Sequence, residues 1–513
     1  MMMESQLLTC VGDYVPIIST ITFICSAFIL SLRLLTKNPL SQIPLIGEEI
    51  GNAKARRDYY LAHGKELYLR GCKKCKSFTG FRITTADGTE DRLVISPRYL
   101  DELRKLPDSV LSFEGALEES MEKRFTKVPA FHSMVVTPHV IKADLTPALV
   151  RINPVLFDEV NSLVRKEIGD NAGWTPVNIH QKLLRIVAIA SGRIFVGPEL
   201  CYNEDYIESA IKYTIELMDA HRKVKGLSPW LKRLKGNFLP EVKTLRKREE
   251  NFNNLIAPVL KQRRCLAASG EVLPDDVLSW LITKADKHGT SSTEDIAYIQ
   301  LGMTFAAIHT TTMTSTNVFY DLAAHPEYIT PLREEIRTVL AEHNGVLTVA
   351  ALQQLRKMDS FIKESMRFHL GSAVSMRRKV MAPFTLSNGQ FIPAGTMIEV
   401  AGHAISRDPE LYPEPEKFKP FRFAELRDSG AEGASRYQFV SVTKDLMTFG
   451  FGRHACVGRF FAANEIKMIV AQTLQKYDMK MPEGQTERFP NLEFGVHSMA
   501  DPTRELSFKN VEV

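Results

Sequence analysis

Phe449-Gly450-Phe451-Gly452-Arg453-His454-Ala455-Cys456-Val457-Gly458-Arg459, near the C-terminal end, reads as a loop built to present one thiolate. Gly450 and Gly452 open backbone conformations that a side chain forbids, and Gly458 lets a flat ligand come close where the next helix starts. From Val457 to about Tyr477 the only Gly or Pro is Gly458, and Ala463, Ile466, Val470 and Leu474 recur at helical spacing. An amphipathic helix therefore begins beside Cys456, and its positive N-terminal end favours a thiolate over a thiol. The nearest other cysteine in sequence is Cys265, so Cys456 is a solitary ligand.

A single thiolate suits a haem iron, because the porphyrin fills the equatorial positions and sulfur pushes electron density onto the metal. The plainer alternative is a buried structural cysteine after a glycine turn. Against it, Phe449, Gly452, His454, Cys456 and Gly458 fall at the spacing F-x-x-G-x-R/H-x-C-x-G. In this the stretch resembles the haem-ligand loop of the cytochrome P450 family.

The chain has 513 residues, 44% of them apolar and 24% charged, which fits a globular protein with a large core. A net charge of +5, spread along the chain, gives no footing for nucleic acid. The cysteines at 10, 25, 72, 75, 201, 265 and 456 form no disulfide framework and point to a reducing compartment. Cys72-Lys73-Lys74-Cys75 has C-x-x-C spacing, but without a second pair it reads as a basic surface turn.

Val15 to Leu32 carries no charge and reads as a membrane anchor near the short limit for a helical span, with the transmembrane helix over about 15–35. Glu4 and Asp13 precede it, while Arg33 and Lys37 follow, so the remaining chain is expected on the cytoplasmic side. A cleavable signal peptide is the alternative; its basic leading region is missing. The division expected is an anchor over 1–38 and one catalytic domain over 39–513. Helices are expected near Asn52–Leu67, Pro154–Ile168, Val177–Phe195, Glu204–Lys225 and Pro240–Ala257, with strands at Gly80–Thr85, Arg92–Ile95, Phe384–Leu386 and Phe391–Val400. Gly226–Leu239 interleaves Trp230, Leu234 and Phe238 with Lys232, Arg233 and Lys235, which fits a bilayer interface as well as it fits a helix-linking turn.

Ser291 and Glu294 make a capping box for a long helix running to Pro326. In its middle Phe305-Ala306-Ala307-Ile308-His309-Thr310-Thr311-Thr312 sets small residues beside hydroxyls. A flat cofactor can lie against such alanines, and a threonine hydroxyl can pass protons; equally, the hydroxyls can bond back to the preceding turn. The run resembles the family's A/G-G-x-D/E-T-T/S, with Ala307 in place of Gly and His309 in place of the acid. That likeness puts Thr310 on the oxygen-activating position and Ala306 against the haem. His309 is either a proton relay in the acid's place or a helix-packing histidine.

Glu364 and Arg367 match the family's E-x-x-R, and Pro420-Phe421-Arg422-Phe423 its P-x-R-F. The resemblance implies a buried Glu364 between Arg367 and Arg422, bracing the ligand loop. It further implies a propionate cation at Arg377 or Arg378, and others at His454 or Arg453. The early Trp-x-x-x-Arg contact is absent, which leaves His139 and Lys142 as substitutes. Arg453, Arg459 and Lys467 are candidates for a docking face, and Phe113, Phe131 and Met134 for the substrate pocket.

The resemblance as a whole implies a mostly helical fold with a smaller β-rich lobe. It implies haem b as cofactor, ligated by Cys456 and flanked by Phe449, Gly450 and Gly458. The implied reaction is a monooxygenation of a small apolar substrate with O2, fed with electrons by an NADPH-cytochrome P450 reductase in the same membrane, the endoplasmic reticulum. The motifs most resemble filamentous-fungal members that act on terpenoid, meroterpenoid or indole-terpenoid metabolites. Two rivals remain: a haem-thiolate isomerase or dehydratase needing no external electrons, and a non-catalytic haem sensor.

Overall fold

The computed structural model describes residues 39–76, 78–86, 91–128, 136–285 and 292–511, with Ser19, Thr20 and Ile24 ahead of them. Apart from those three, the expected anchor at Val15–Leu32 lies outside the described residues, as do Ser291, Phe131 and Met134. No helix among the described residues is long and apolar enough to cross a membrane.

The elements that frame the site are, in chain order, β1 (Leu45–Ile46), α1 (Ala53–Lys74), β2 (Gly80–Ile83), β3 (Arg92–Ile95), β4 (Leu111–Ser112), α2 (Phe113–Ser120), α3 (Thr146–Ile168), β5 (Thr175–Val177) and α4 (Ile179–Phe195). There follow α5 (Glu204–Lys225), α6 (Pro229–Lys235), α7 (Pro240–Ala268), α8 (Thr293–Ala324), α9 (Arg356–Phe368), β6 (Ser375–Val380), β7 (Met397–Val400), α10 (Arg459–Lys476), β8 (Tyr477–Lys480) and β9 (Leu506–Asn510). The structure is mostly helical, with one mixed sheet in the order β1-β2-β3-β7-β6-β4 and a smaller sheet β8-β9-β5.

Side-chain caps start the helices where asparagine and serine precede apolar periodicity. Asn52, Asn178 and Asn203 accept from Ala55 N, Gln181 N and Tyr206 N at 3.0, 3.0 and 3.1 Å. α8 is capped by Ser292, which accepts from Asp295 N at 3.0 Å, so the cap lies one residue beyond the expected Ser291. Two prolines expected at helix limits lie inside helices instead. Pro154 sits within α3 and Pro258 within α7, where buried side chains on both flanks outweigh the lost hydrogen bond. The strand expected over Phe391–Val400 is broken into Phe391–Ile392 and β7, separated by Pro393 and the left-handed Gly395.

α8 is the axis of the helical core and packs against α4, α5, α7, α9 and α10. Leu183, Leu217, Phe252, Ile308 and Ile469 belong to that core. A second core, with Leu93, Val380 and Ile398, underlies the large sheet. The cysteine loop lies between the two: Phe451 and Met447 join the sheet core, whereas Phe449 and Phe461 join the helical one. Cys72 and Cys75 are not on a surface turn. They occupy the C-terminal end of α1, where Cys75 is buried beside Phe81 and Tyr68.

Candidate active site

The loop before α10 takes the shape its glycines permit. Gly450 and Gly452 have φ of 76° and 71°, in the left-handed region. Cys456 N then donates to Phe449 O at 2.8 Å, and Gly450 N to Met447 O at 2.9 Å, which closes the loop on itself. The Cys456 thiol is accessible although surrounding protein desolvates it, as for a thiol lining an interior hollow. Burial pushes it up, while the N–H groups of Gly458 and Arg459 and the Arg459 guanidinium pull it down. A Cβ placed on Gly458 would meet nothing within 4 Å, so open space adjoins the sulfur at the helix start.

Across the core, α8 is buried along most of its middle, yet Ala306 and Thr310 are exposed on one stripe of it. The Thr310 hydroxyl donates to Ala306 O at 2.6 Å. Its lone pairs remain free to accept, and rotation about χ1 frees its proton. His309 turns the other way, with Nε2 2.8 Å from Ile211 O on α5. A carbonyl partner fixes the Nε2–H tautomer, and burial holds the ring's pKa below its ordinary value, so the imidazole stays neutral. This contact is the helix-packing reading of His309.

Beside the loop, Arg378 is buried, with its guanidinium 5.2 Å from the Phe113 ring centre. Its guanidinium donates to the Arg377 carbonyl at 2.8 Å, and no carboxylate among the described residues lies within ion-pair distance. Desolvation lowers its pKa to about 10. Arg377 instead leans on buried Glu399 at 3.3 Å, together with Arg92. His454 stacks on Phe113 at 5.6 Å and meets Asp108 at 2.7 Å. Phe113, expected in the substrate pocket, is thus engaged at the edge of the ligand loop. Arg453 is exposed and donates to Arg104 O and Leu106 O. His139 and Lys142 are exposed as well, and Lys142 shares a groove with Arg104, Lys105, Arg453 and Arg459 on the outer side of the loop.

The brace is complete. Glu364 is fully buried and takes two bonds of 2.8 Å from Arg367 and one of 3.2 Å from Arg422. Both guanidiniums also donate to backbone: Arg367 to Ser406 O and Pro415 O, Arg422 to Pro413 O, Glu414 O and Lys417 O. A second brace was not read from the sequence. Buried Asp359 on α9 accepts from Lys467 of α10, from Arg427 at 3.2 Å and from Phe439 N at 2.7 Å. Lys467 therefore lies inside the protein and not on a docking face.

The family model for cytochrome P450 matches residues 134–508. The chain belongs to the cytochrome P450 family. The chain is 34% identical over 504 residues to the cytochrome P450 monooxygenase braC of Annulohypoxylon truncatum, covering 97% of this chain and 99% of that one. It is 38% identical over 436 residues to the cytochrome P450 monooxygenase ATR3 of Stachybotrys chlorohalonatus, covering 83% and 90%. Over 450 residues it is 34% identical to the cytochrome P450 monooxygenase paxP of Penicillium paxilli, covering 86% and 84%. As a cytochrome P450 the chain is an oxidoreductase whose cofactor is haem, with iron held by a cysteine. The residues present fit that group: an accessible thiol under backbone donors, open space over Gly458, and a buried guanidinium with no carboxylate among the described residues in ion-pair contact.

Proposed function

We propose that this cytochrome P450 is a membrane-bound monooxygenase of secondary metabolism, oxidising an apolar terpenoid, meroterpenoid or indole terpenoid with O2 and electrons from an NADPH-cytochrome P450 reductase. The observation that carries the reading is Cys456, accessible at the start of α10 with the Gly458 and Arg459 N–H groups directed at its sulfur. When bound, the haem would supply oxygen activation, with Cys456 as the residue that would hold its iron. The protein's own residues do the rest. Cys456 ligates, its charge steadied by the helix start. Arg378 and His454 are the residues that would hold the haem carboxylates, the first as a buried cation and the second as a ring donor. Ala306 leaves room on the α8 face, and Thr310 offers a hydroxyl that accepts from water on one side and donates on the other. Because the His309 Nε2–H is spent on Ile211 O, protons reach Thr310 through water and not from that nitrogen.

The groove of Arg104, Lys105, Lys142, Arg453 and Arg459 supports an acidic redox partner docking behind the thiolate. Trp230, Leu234 and Phe238, exposed by 63, 62 and 70% on and just after α6, support a second membrane contact beside the anchor. The location that follows is the endoplasmic reticulum membrane, single-pass, with the catalytic domain cytoplasmic.

The test is the carbon-monoxide difference spectrum of the reduced protein, wild type beside Cys456→Ser, followed by NADPH-driven turnover with a reductase. A strongly red-shifted Soret band lost in the variant is expected, and its absence from folded wild type sinks the reading. With substrate in hand, Thr310→Ala is expected to cut product severalfold while oxygen is diverted to peroxide; unchanged product would favour an isomerase or dehydratase.

A further inference from the structure

β6 carries one residue more than its partner strand can pair. Ser375 stands opposite Val400 of β7 and Arg378 opposite Ile398, so Met376 and Arg377 together fall opposite the single residue Glu399. The surplus is taken up at Met376, whose φ of 51° lies in the left-handed region, where glycine is the unstrained residue. Neither end of the segment can slip to release it. Ala373 N donates to Val496 O at 2.7 Å, and Val380 N donates to Thr396 O at 2.9 Å.

The bulge decides which way two neighbouring arginines point. Directly paired residues share a face of a sheet, and Val400 and Ile398, two apart on one strand, share theirs. Ser375 and Arg378 therefore lie on one face although they are three apart; in a regular strand Arg377 would take that place. The contacts agree. On that face Ser375 Oγ donates to Met447 O at 3.3 Å, the carbonyl that also accepts from Gly450 N at the base of the cysteine loop. The Arg378 guanidinium lies 5.2 Å from the Phe113 ring centre, and that ring stacks on His454 of the same loop at 5.6 Å. On the opposite face Arg377 meets Glu399 at 3.3 Å, where Arg92 and the Tyr68 hydroxyl also donate to that carboxylate. Asp108, whose field reaches Arg378, bonds His454 instead. Arg377 thus has a protein carboxylate, whereas none among the described residues is in ion-pair contact with Arg378.

We propose that Met376 is a positioning residue: its left-handed backbone, with Glu399 holding Arg377 on the far face, delivers Arg378 and not Arg377 to a haem carboxylate beside the cysteine loop. The proposal rests on haem being the cofactor. It explains why methionine occupies a position whose backbone suits glycine. The Met376 side chain is buried in the sheet core together with Met447 and Phe451, so packing beneath the ligand loop offsets the strain. It also separates two adjacent arginines that the sequence alone leaves equivalent.

The experiment compares haem with haem dimethyl ester, which has the same ring and iron but no charged carboxylates. Loss of each from the loaded protein to apomyoglobin is followed by absorbance, so no turnover is needed. Wild type is expected to release haem about tenfold more slowly than the ester. In Arg378→Met that ratio falls severalfold; in Arg377→Met it is kept, although the protein melts lower. Met376→Gly, which takes the same φ without strain, also melts lower and keeps the ratio. Met376→Val, which resists that φ, loses as much of the ratio as Arg378→Met, and the double variant loses no more. Equal release of the two rings by wild type overturns the proposal. So does a ratio that falls in Arg377→Met or in Met376→Gly as far as in Arg378→Met, or one that survives Met376→Val. If the valine variant does not fold, the glycine variant and the two arginine variants decide the matter. If folded wild type takes up neither ring, it is the haem reading that fails.

Discussion

Glu364 illustrates how much one buried charge can hold. Its carboxylate is the shared acceptor of two guanidiniums, which in turn donate to the backbone of Pro413–Lys417. Glu364→Ala leaves two cations buried and uncompensated, at a cost of about 3–5 kcal/mol. The expected result is a large drop in melting temperature and failure to retain haem, measured by calorimetry and the Soret-to-protein absorbance ratio. Glu465 on α10 behaves oppositely. Burial pushes it up to about 8, with only the Ser191 hydroxyl, 2.9 Å away, pulling it down. Its folded-state pKa is raised, so the folded protein binds the extra proton between the ordinary carboxyl range and about 8, and stability falls as pH rises through that window. Glu465→Gln is expected to melt higher than wild type at pH 8.5, with the difference vanishing near pH 4.5; equal melting at both would refute the buried, neutral carboxyl. The motif residues were legible in sequence because their spacing is fixed by chemistry. Glu465 and Lys467 were not, because a charge on a helix buried nearly all round looks the same in sequence as one on a solvated face.

At the scale of elements, α5 and β3 were legible to the residue, and α4 to within two, because asparagine caps and turn residues bound them sharply. The misplaced ends of α3 and α7 share one cause. Proline is a local signal, and buried Leu156 and Phe157, or Leu260 and Arg263, override it from a distance. Arg263 alone engages Asp276 at 2.6 Å and Glu199 at 2.8 Å, which pins the part of α7 beyond Pro258. Contacts of backbone on backbone are equally invisible in sequence. α1 bends at His63, and a Cβ on Gly64 would fall 2.3 Å from Gly495 O, in the turn between the strands Asn491–Phe494 and His497–Ala500. Gly64→Ala therefore lifts α1 from that turn. A loss of about 1–3 kcal/mol is expected by denaturant titration, and no loss would mean the two backbones do not meet.

For the whole molecule, charge is distributed unevenly. The overall excess of +5 says little. Its concentration at Arg104, Lys105, Lys142, Arg453 and Arg459, behind the Cys456 loop, says more. Arg104→Glu with Lys105→Glu is expected to raise the reductase concentration needed for half-maximal turnover by tenfold or more. High salt should do the same to wild type, whereas turnover driven by peroxide should not change. If both routes fell together, the groove would be structural. These cations are scattered through the chain between 104 and 459, and only folding gathers them, which is why the sequence alone set Arg453 and Arg459 beside Lys467, assigned Lys142 to the haem, and left Arg104 and Lys105 unnamed.

The seat of the ligand loop, with Met447 and Phe451 in the sheet core and Phe449 and Phe461 in the helical core, has a consequence for descent. Shuffling between related genes can exchange whole helices as long as each parent's packing travels intact. A crossover inside 447–461 would draw the two halves of that seat from different ancestors, so this short segment and both of its supporting cores must be inherited as a unit.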